Sequence, residues 1–191
     1  MATATGLLAR NKIHPLRLGL YIACGSILMM FAALTSAYIV RQAAGNWLEF
    51  PLPSLFYVST GAILLCSVTL QFCYRAFTKH QAGAYRGLLA ASLVLGVGFI
   101  VLQYLAYQQM FDAGLELKGN PAPSFIYVIS GLHAAHVLGG IVVLIVACLH
   151  GFRLPVVATP QRRLRLQLTL TYWHFMDFLW IYLLLFFALQ R

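Results

Sequence analysis

Charge is what this sequence has least of. Only four of its residues are Asp or Glu, and charged residues of both signs make up 9% of the chain, against about 25% in ordinary soluble domains. Hydrophobic residues make up 61%, more apolar surface than a soluble core of this size can hide, so the excess faces lipid or other membrane subunits. The scarcity of acids leaves a formal net charge of +9. In a soluble protein that would suggest nucleic acid. Here the basic residues sit at the ends of apolar runs, a placement that fits headgroup contact and topology control, and a nucleic-acid partner is excluded. Catalytic signatures are missing as well: there is no P-loop, no nucleophile with its base, no carboxylate pair and no four-ligand metal set. Cys24, Cys66, Cys73 and Cys148 are dispersed with no CxxC pair, so they read as small packing residues and not as a zinc site or disulfide framework. No internal repeat, low-complexity tract or domain boundary interrupts the chain.

What is present is a set of five long apolar runs, at about Leu18–Val40, Leu55–Tyr74, Leu88–Tyr107, Phe125–Leu149 and Leu166–Leu189. Each is long enough for the ~20 helical residues that cross a hydrocarbon core. The first four lack Asp, Glu, Lys and Arg altogether, and the fifth has Asp177 alone. Strands of a membrane barrel would be about half as long and would alternate apolar with polar. The fold class is therefore all-α, an integral membrane bundle of five transmembrane helices forming one membrane domain over residues 1–191. Prolines fall between the runs, with Pro51 and Pro53 in the first connection, Pro121 and Pro123 in the third, and Pro155 and Pro160 in the fourth. Such sites suit loops, because proline lacks a backbone donor and disfavours helix at the residue before it.

Orientation follows from the Lys and Arg residues. Arg10, Lys12, Arg17, Arg75, Lys79, Arg86, Arg153, Arg162, Arg163 and Arg165 share one side, leaving only Arg41, Lys118 and Arg191 of the 13 on the other. Glu49, Asp112 and Glu116 also fall on that poorer side. The positive-inside rule places the N-terminus in the cytoplasm and the C-terminus outside. Residues 1–14 then read as a short inside tail, without the separate apolar region of a signal peptide. Arg75, Arg86 and Arg153, at the inner edge, are candidate contacts for phospholipid headgroups.

Polar groups within the spans are costly and usually face a partner or a cavity. His133 and His136 are three residues apart in the fourth helix, as are His174 and Asp177 in the fifth. At ~1.5 Å per residue, His136 lies ~20 Å from the inner end of its helix and Asp177 ~16 Å from the inner end of its own. The two pairs can therefore meet across a helix–helix contact. Three readings compete for this constellation: a hydrogen-bonded knot that fixes packing, a haem or metal site, and a proton relay. Against ligation, His136 and His174 differ in depth by ~8 Å, poor for one haem. The relay is weakened by the presence of one acid only. Gly131, Ala135 and Gly139 form a ridge of small residues along helix four, where another helix can approach. Ser92 and Gly96 on helix three and Ala33 and Ala37 on helix one are weaker versions. Trp47, Tyr57, Tyr107, Tyr172 and Trp173 are candidate interfacial anchors.

These segments carry a resemblance. Gly131-Leu-His-Ala-Ala-His-Val-Leu-Gly139 resembles the GxHxxHVxxG segment of subunit III of the haem–copper oxidases, and Tyr172-Trp-His-Phe-Met-Asp-Phe-Leu-Trp180 resembles that family's YWHFxDxxW segment. Ser26 through Tyr38 is similar to its SExxFFxxxxxA stretch, and Leu102-Gln103 falls where the family has a similar pair. The likeness runs from Leu16 to the end and matches the five-helix bacterial form. It implies a subunit of a proton-translocating terminal oxidase in the bacterial plasma membrane. It further implies that this chain itself holds no catalytic centre, cofactor or metal, the haem and copper residing in partner subunits. Such a subunit binds beside subunit I, in a complex with subunit II, holds structural phospholipid and supports proton uptake by subunit I. A cytochrome c oxidase is favoured. A quinol oxidase subunit III, a nitric oxide reductase accessory subunit, or, from another class, a small transporter or haem-binding membrane protein are the alternatives. The chain also departs from the family: Ile27 stands where the family has an intramembrane glutamate, and Ala106 and Gln109 stand where acids often follow the Leu-Gln pair. A proton antenna built on those acids does not carry over, and Asp177 is left as the only intramembrane acid to pair with the histidines.

The charge bias predicts that single cysteines introduced beside Gln81 and Gly119 are labelled by impermeant reagents from the cytoplasmic and the outer side respectively. Labelling of both from one side would refute the five-span topology.

Overall fold

A computed structural model describes residues 14–190. The basic residues Arg10, Lys12 and Arg191 that enter the charge bias, and all of the inside tail but His14, lie outside the described residues. Five helices, α1 (Pro15–Ala43), α2 (Ser54–Thr78), α3 (Ala82–Asp112), α4 (Pro121–Arg153) and α5 (Pro160–Leu189), are each long and apolar enough to cross a membrane. There is no strand among the described residues.

The helices extend beyond the apolar runs, at both ends in α1 to α4 and at the N-terminal end in α5, because hydropathy marks the part in hydrocarbon while helical hydrogen bonding continues to a cap. Three of the five begin on a proline held by a capping side chain. His14 Nδ1 accepts from Leu16 N–H at 3.3 Å, Asn120 Oδ1 from Ala122 N–H at 3.0 Å, and Thr159 Oγ1 from Arg162 N–H at 3.4 Å. Pro121, Pro123 and Pro160 therefore belong to helices and not to connections. In the first turn a proline gives up no helical hydrogen bond, and its fixed φ is already helical. Pro51, Pro53 and Pro155 do lie in connections. At the C-terminal ends of α1 and α3 the chain turns through Gly45 and Gly114, whose φ values of 82° and 76° disfavour a side chain.

α5 packs on α1, α2 and α4, and α4 on α1, α3 and α5; α3 also packs on α2, and among the described residues α1 packs on α4 and α5 alone. Lipid chains are as apolar as leucine, so association inside a bilayer rests on close packing and interhelical hydrogen bonds. The closest packing is made by Trp173. Its indole lies between Gly96 of α3 and Gly140 of α4: a Cβ at Gly96 would stand 3.0 Å from Trp173 Cη2, and one at Gly140 3.2 Å from Trp173 Cε2. Trp173 is thus a core residue and not an interfacial anchor. Two turns further on, Trp180 packs edge-on against Phe56 and Phe99, at 5.8 and 5.4 Å between ring centroids, and donates from Nε1 to Thr60 Oγ1 at 2.9 Å.

The ridge expected on α4 is not the face that α5 meets. Ala135 and Gly139 are exposed and Gly131 is half-buried, with nothing nearer than 4.0 Å to a Cβ at Gly131 or Gly139. The buried face runs through His133, Val137, Gly140, Leu144, Cys148 and Gly151, about 100° around the helix from Gly139. Small residues occur on both faces of α4, and only the large residues opposite decide which one packs. On α3, Ser92 and Gly96 are buried; on α1, Ala33 and Ala37 are exposed.

Gly140→Leu is therefore expected to destabilise the protein by about 1–3 kcal/mol through overpacking, while Gly139→Leu stays within about 0.5 kcal/mol of the parent. Thermal unfolding in detergent is the measurement, and equal losses would place the contact on the wrong face.

Candidate functional site

The four polar residues singled out on α4 and α5 separate into two groups on different sides of α5. His133 is fully buried, and its Nε2 donates to the Met176 carbonyl at 3.2 Å. Its ring lies 5.0 Å from Trp180, 5.8 Å from Phe99 and 6.4 Å from Phe31. His136, one turn on and half-buried, turns back to its own helix, donating from Nδ1 to the Leu132 carbonyl at 2.7 Å, with Phe31 6.0 Å from its ring. A carbonyl only accepts, so both rings are assigned from these partners as donors at the bonded nitrogen. Tyr172 ties α5 to the same stretch by donating to the His136 carbonyl at 2.8 Å.

His174 and Asp177 face α2 instead. Ser67 Oγ lies 2.5 Å from His174 Nδ1, and His174 Nε2 lies 3.4 Å from Gln71 Oε1. With Gln71 Oε1 as acceptor, Nε2 carries the proton and Ser67 donates to Nδ1. Asp177 is buried, near Cys66 and Ser67, and neither carboxyl oxygen has a hydrogen-bond partner. The expected bond from Asp177 to His136, His174 or Trp173 is not made, and Trp173 Nε1 is itself unpartnered. His133 and Met176 stand at one depth, as their hydrogen bond requires. Met176 and Asp177 are consecutive, so one faces His133 while the other points about 100° away.

A longer polar seam continues from His174 toward the N-terminal end of α5 and was not read from the sequence. Arg17 of α1 donates to Gln167 Oε1 at 2.8 Å, and Gln167 Nε2 donates to Tyr74 Oη at 2.6 Å. Gln167, Thr171 and His174 stand four and three residues apart on α5, as Ser67 and Gln71 stand four apart on α2. That spacing was the available signal, missed because neutral amides and hydroxyls do not register as charges. Elsewhere, shorter ties join neighbours: Gln103 donates to Ser59 Oγ at 3.0 Å, Tyr107 to Ser130 Oγ at 2.9 Å, and Thr69 and Ser92 hydroxyls lie 2.9 Å apart.

The three candidate headgroup arginines differ. Arg75 and Arg153 are exposed, Arg75 lying over the Phe72 ring at 5.6 Å. Arg86 is half-buried and donates from Nε to the Gly151 carbonyl at 2.8 Å, so it binds a last-turn carbonyl of α4. Next to it, between the C-terminal end of α4 and the N-terminal end of α5, is a cavity of about 800 Å³ with apolar walls, including Val143, Val146 and Leu166, and with Arg162 and Arg165 in its lining. All four cysteines are free and buried. No group of three or more His, Cys, Asp or Glu among the described residues could hold a metal ion.

His133 acts here through its ring volume, wedged among three aromatic side chains. His133→Phe should therefore cost about 1 kcal/mol, the worth of one hydrogen bond, and His133→Ala about 3 kcal/mol through the cavity it opens. Unfolding in a detergent series checks this; equal losses for both would assign the nitrogen, not the ring, the principal role.

Comparison with known proteins agrees with this architecture. The chain is 27% identical to the cytochrome c oxidase subunit 3 of Corynebacterium diphtheriae, over 95% of this chain and 91% of that one. It is 28% identical to a probable cytochrome c oxidase subunit 3 of Nocardia farcinica, over 90% and 86%. It is 27% identical to the quinol oxidase subunit 3 of Bacillus spizizenii, over 87% and 82%. The profile of the family described as cytochrome c oxidase subunit III matches residues 2–189, nearly the whole chain, and the chain belongs to that family.

Proposed function

We propose that this chain is the non-catalytic subunit III of a respiratory haem–copper oxidase of the cytochrome c type, seated beside the catalytic subunit I with its N-terminus in the cytoplasm. The observation that carries the non-catalytic reading is how the intramembrane histidines are used. His133 gives one ring nitrogen to Met176 and leaves the other unpartnered, His136 gives one to Leu132 of its own helix, and His174 lies 2.5 Å from Ser67 with a longer contact to Gln71. The first two share one side of α5 and His174 lies on the other, so the three do not converge as a ligand set. A quinol oxidase is the second reading, favoured by the quinol oxidase relative; the subunit II that accompanies the chain decides between them.

In this reading the chain stabilises subunit I during turnover, supports its proton uptake and holds phospholipid at the inner surface. The lipid role is supported by the exposed Arg75 and Arg153 and by the apolar cavity with Arg162 and Arg165 in its lining. Charge attraction near an anionic leaflet is worth about 1 kcal/mol per basic residue, so the contribution is shared and no single arginine is essential. Arg86 contributes mainly by closing the end of α4.

Deleting the chain from its oxidase is expected to leave haem and copper content unchanged and to make activity decline during sustained turnover. Metal analysis and continuous oxygen-uptake traces of the depleted complex are the measurements. Loss of a haem or a copper in proportion to this chain would refute the proposal.

A further inference from the structure

α1 and α2 both pack on α5, yet among the described residues they do not pack on each other. Between them a strip of α5 is left uncovered. Its residues recur at helical spacing, His174, Phe178, Tyr182, Leu185 and Leu189, with Phe178 66% and Leu185 57% exposed. One edge of the strip is tied to α2 by the contact of His174 with Ser67, and the other to α1 by the 3.0 Å contact of the Tyr182 and Thr35 hydroxyls. The strip is the floor of a slot with α1 and α2 as its walls. At the inner end the slot deepens into a cavity of about 300 Å³ between Arg17 and Tyr21 of α1 and Gln71 and Tyr74 of α2.

The chemistry of the slot changes along its length. The outer half of its floor, from Phe178 to Leu189, is apolar apart from the Tyr182 hydroxyl that α1 already holds. The inner half presents His174 and Gln71. His174 is exposed ~12 Å along α5 from Leu166, where the apolar run begins, near the middle of a hydrocarbon core ~30 Å thick and below the level of the headgroups. Acyl chains offer no hydrogen-bonding atom, and an open polar side chain at this depth is costly. The contact of His174 with Gln71 is long at 3.4 Å, so both side chains keep bonding capacity to offer outward. Neighbouring helices pack ~8–10 Å apart, so a slot whose two walls do not touch has the form of a seat for one more helix.

We infer that this slot is the seat of one transmembrane helix from another subunit of the same oxidase, bearing a hydrogen-bonding side chain opposite His174 and an apolar face opposite Phe178 and Leu185. The inference rests on the oxidase reading above and adds to it the surface of contact. In the membrane the partner helix packs along the outer half of the slot, while the single polar contact fixes its depth and rotation.

The test uses the intact oxidase purified through a tag on this chain, with benzoylphenylalanine introduced at Phe178 or Leu185. Leu138 and Val142, exposed on α4 away from the slot, serve as controls. Illumination is expected to join the slot probes to another oxidase subunit, identified by mass spectrometry, in at least several-fold higher yield than the controls. Adducts with lipid only, with a second copy of this chain, or in equal yield from slot and control positions would overturn the inference. Two variants test the polar contact: His174→Leu is expected to lower retention of the chain by the complex roughly three- to tenfold in a detergent wash, and His174→Gln to restore most of it. Equal retention for both would overturn the role of His174. Failure of the unmodified chain to bring down any haem-bearing subunit would instead sink the oxidase reading itself. With that subunit present, slot probes that reach only lipid sink this inference alone.

Discussion

The bundle depends on one wedge, the Trp173 indole held between Gly96 and Gly140. In water a flat apolar side chain would be driven inward by the solvent; in a bilayer it gains nothing by leaving lipid and is held by dispersion contacts alone. Those contacts need flat surfaces at van der Waals distance on both sides, which two glycines on different helices supply. Fixing Trp173 fixes the rotation of α5, and that rotation places every other residue of the helix. Met176 and Trp180 turn toward His133, while His174 and Asp177 turn toward α2.

The arrangement of polar groups is a consequence of that rotation. Each histidine finds an acceptor close at hand, on its own helix or the one it faces, so no ring has to reach across the bundle. Trp173 Nε1, His133 Nδ1 and Gln103 Oε1 are buried without a partner, and so are both oxygens of Asp177. A carboxyl in that position is costly in its charged form. The cost falls on the wall beside the uncovered strip of α5, the part of the molecule that has most to gain from a neighbouring subunit.

The number of helices and the apolar stretch at the centre of each were legible in the sequence, because length and unbroken hydropathy are properties of a segment by itself. Which face packs is a property of pairs of segments. Gly139 and Gly140 are indistinguishable by composition, and it takes Trp173 on another helix to make one of them indispensable and leave the other open to lipid. The same holds for His136 and Asp177, whose depths can be counted along two helices while their rotations cannot. The seam of Gln167, Gln71 and Ser67 escaped notice for a different reason. A search keyed to charge passes over amides and hydroxyls, although in hydrocarbon they too must find partners.

Ile27 shows how the loss of one acid is absorbed. It is half-buried against the core, one turn before Phe31 on α1, and Phe31 is the ring that meets both His133 and His136. A carboxyl at position 27 would lie on the helix face that looks toward these histidines. With isoleucine there, the α1 side offers them only apolar contact, and both rings bond to backbone carbonyls of α4 and α5. Asp177 does not replace the missing partner, because it lies on the α2 side of α5. The contact of α1 with these histidines is thus aromatic packing. The wedge at Trp173 is independent of it, since it draws on α3, α4 and α5.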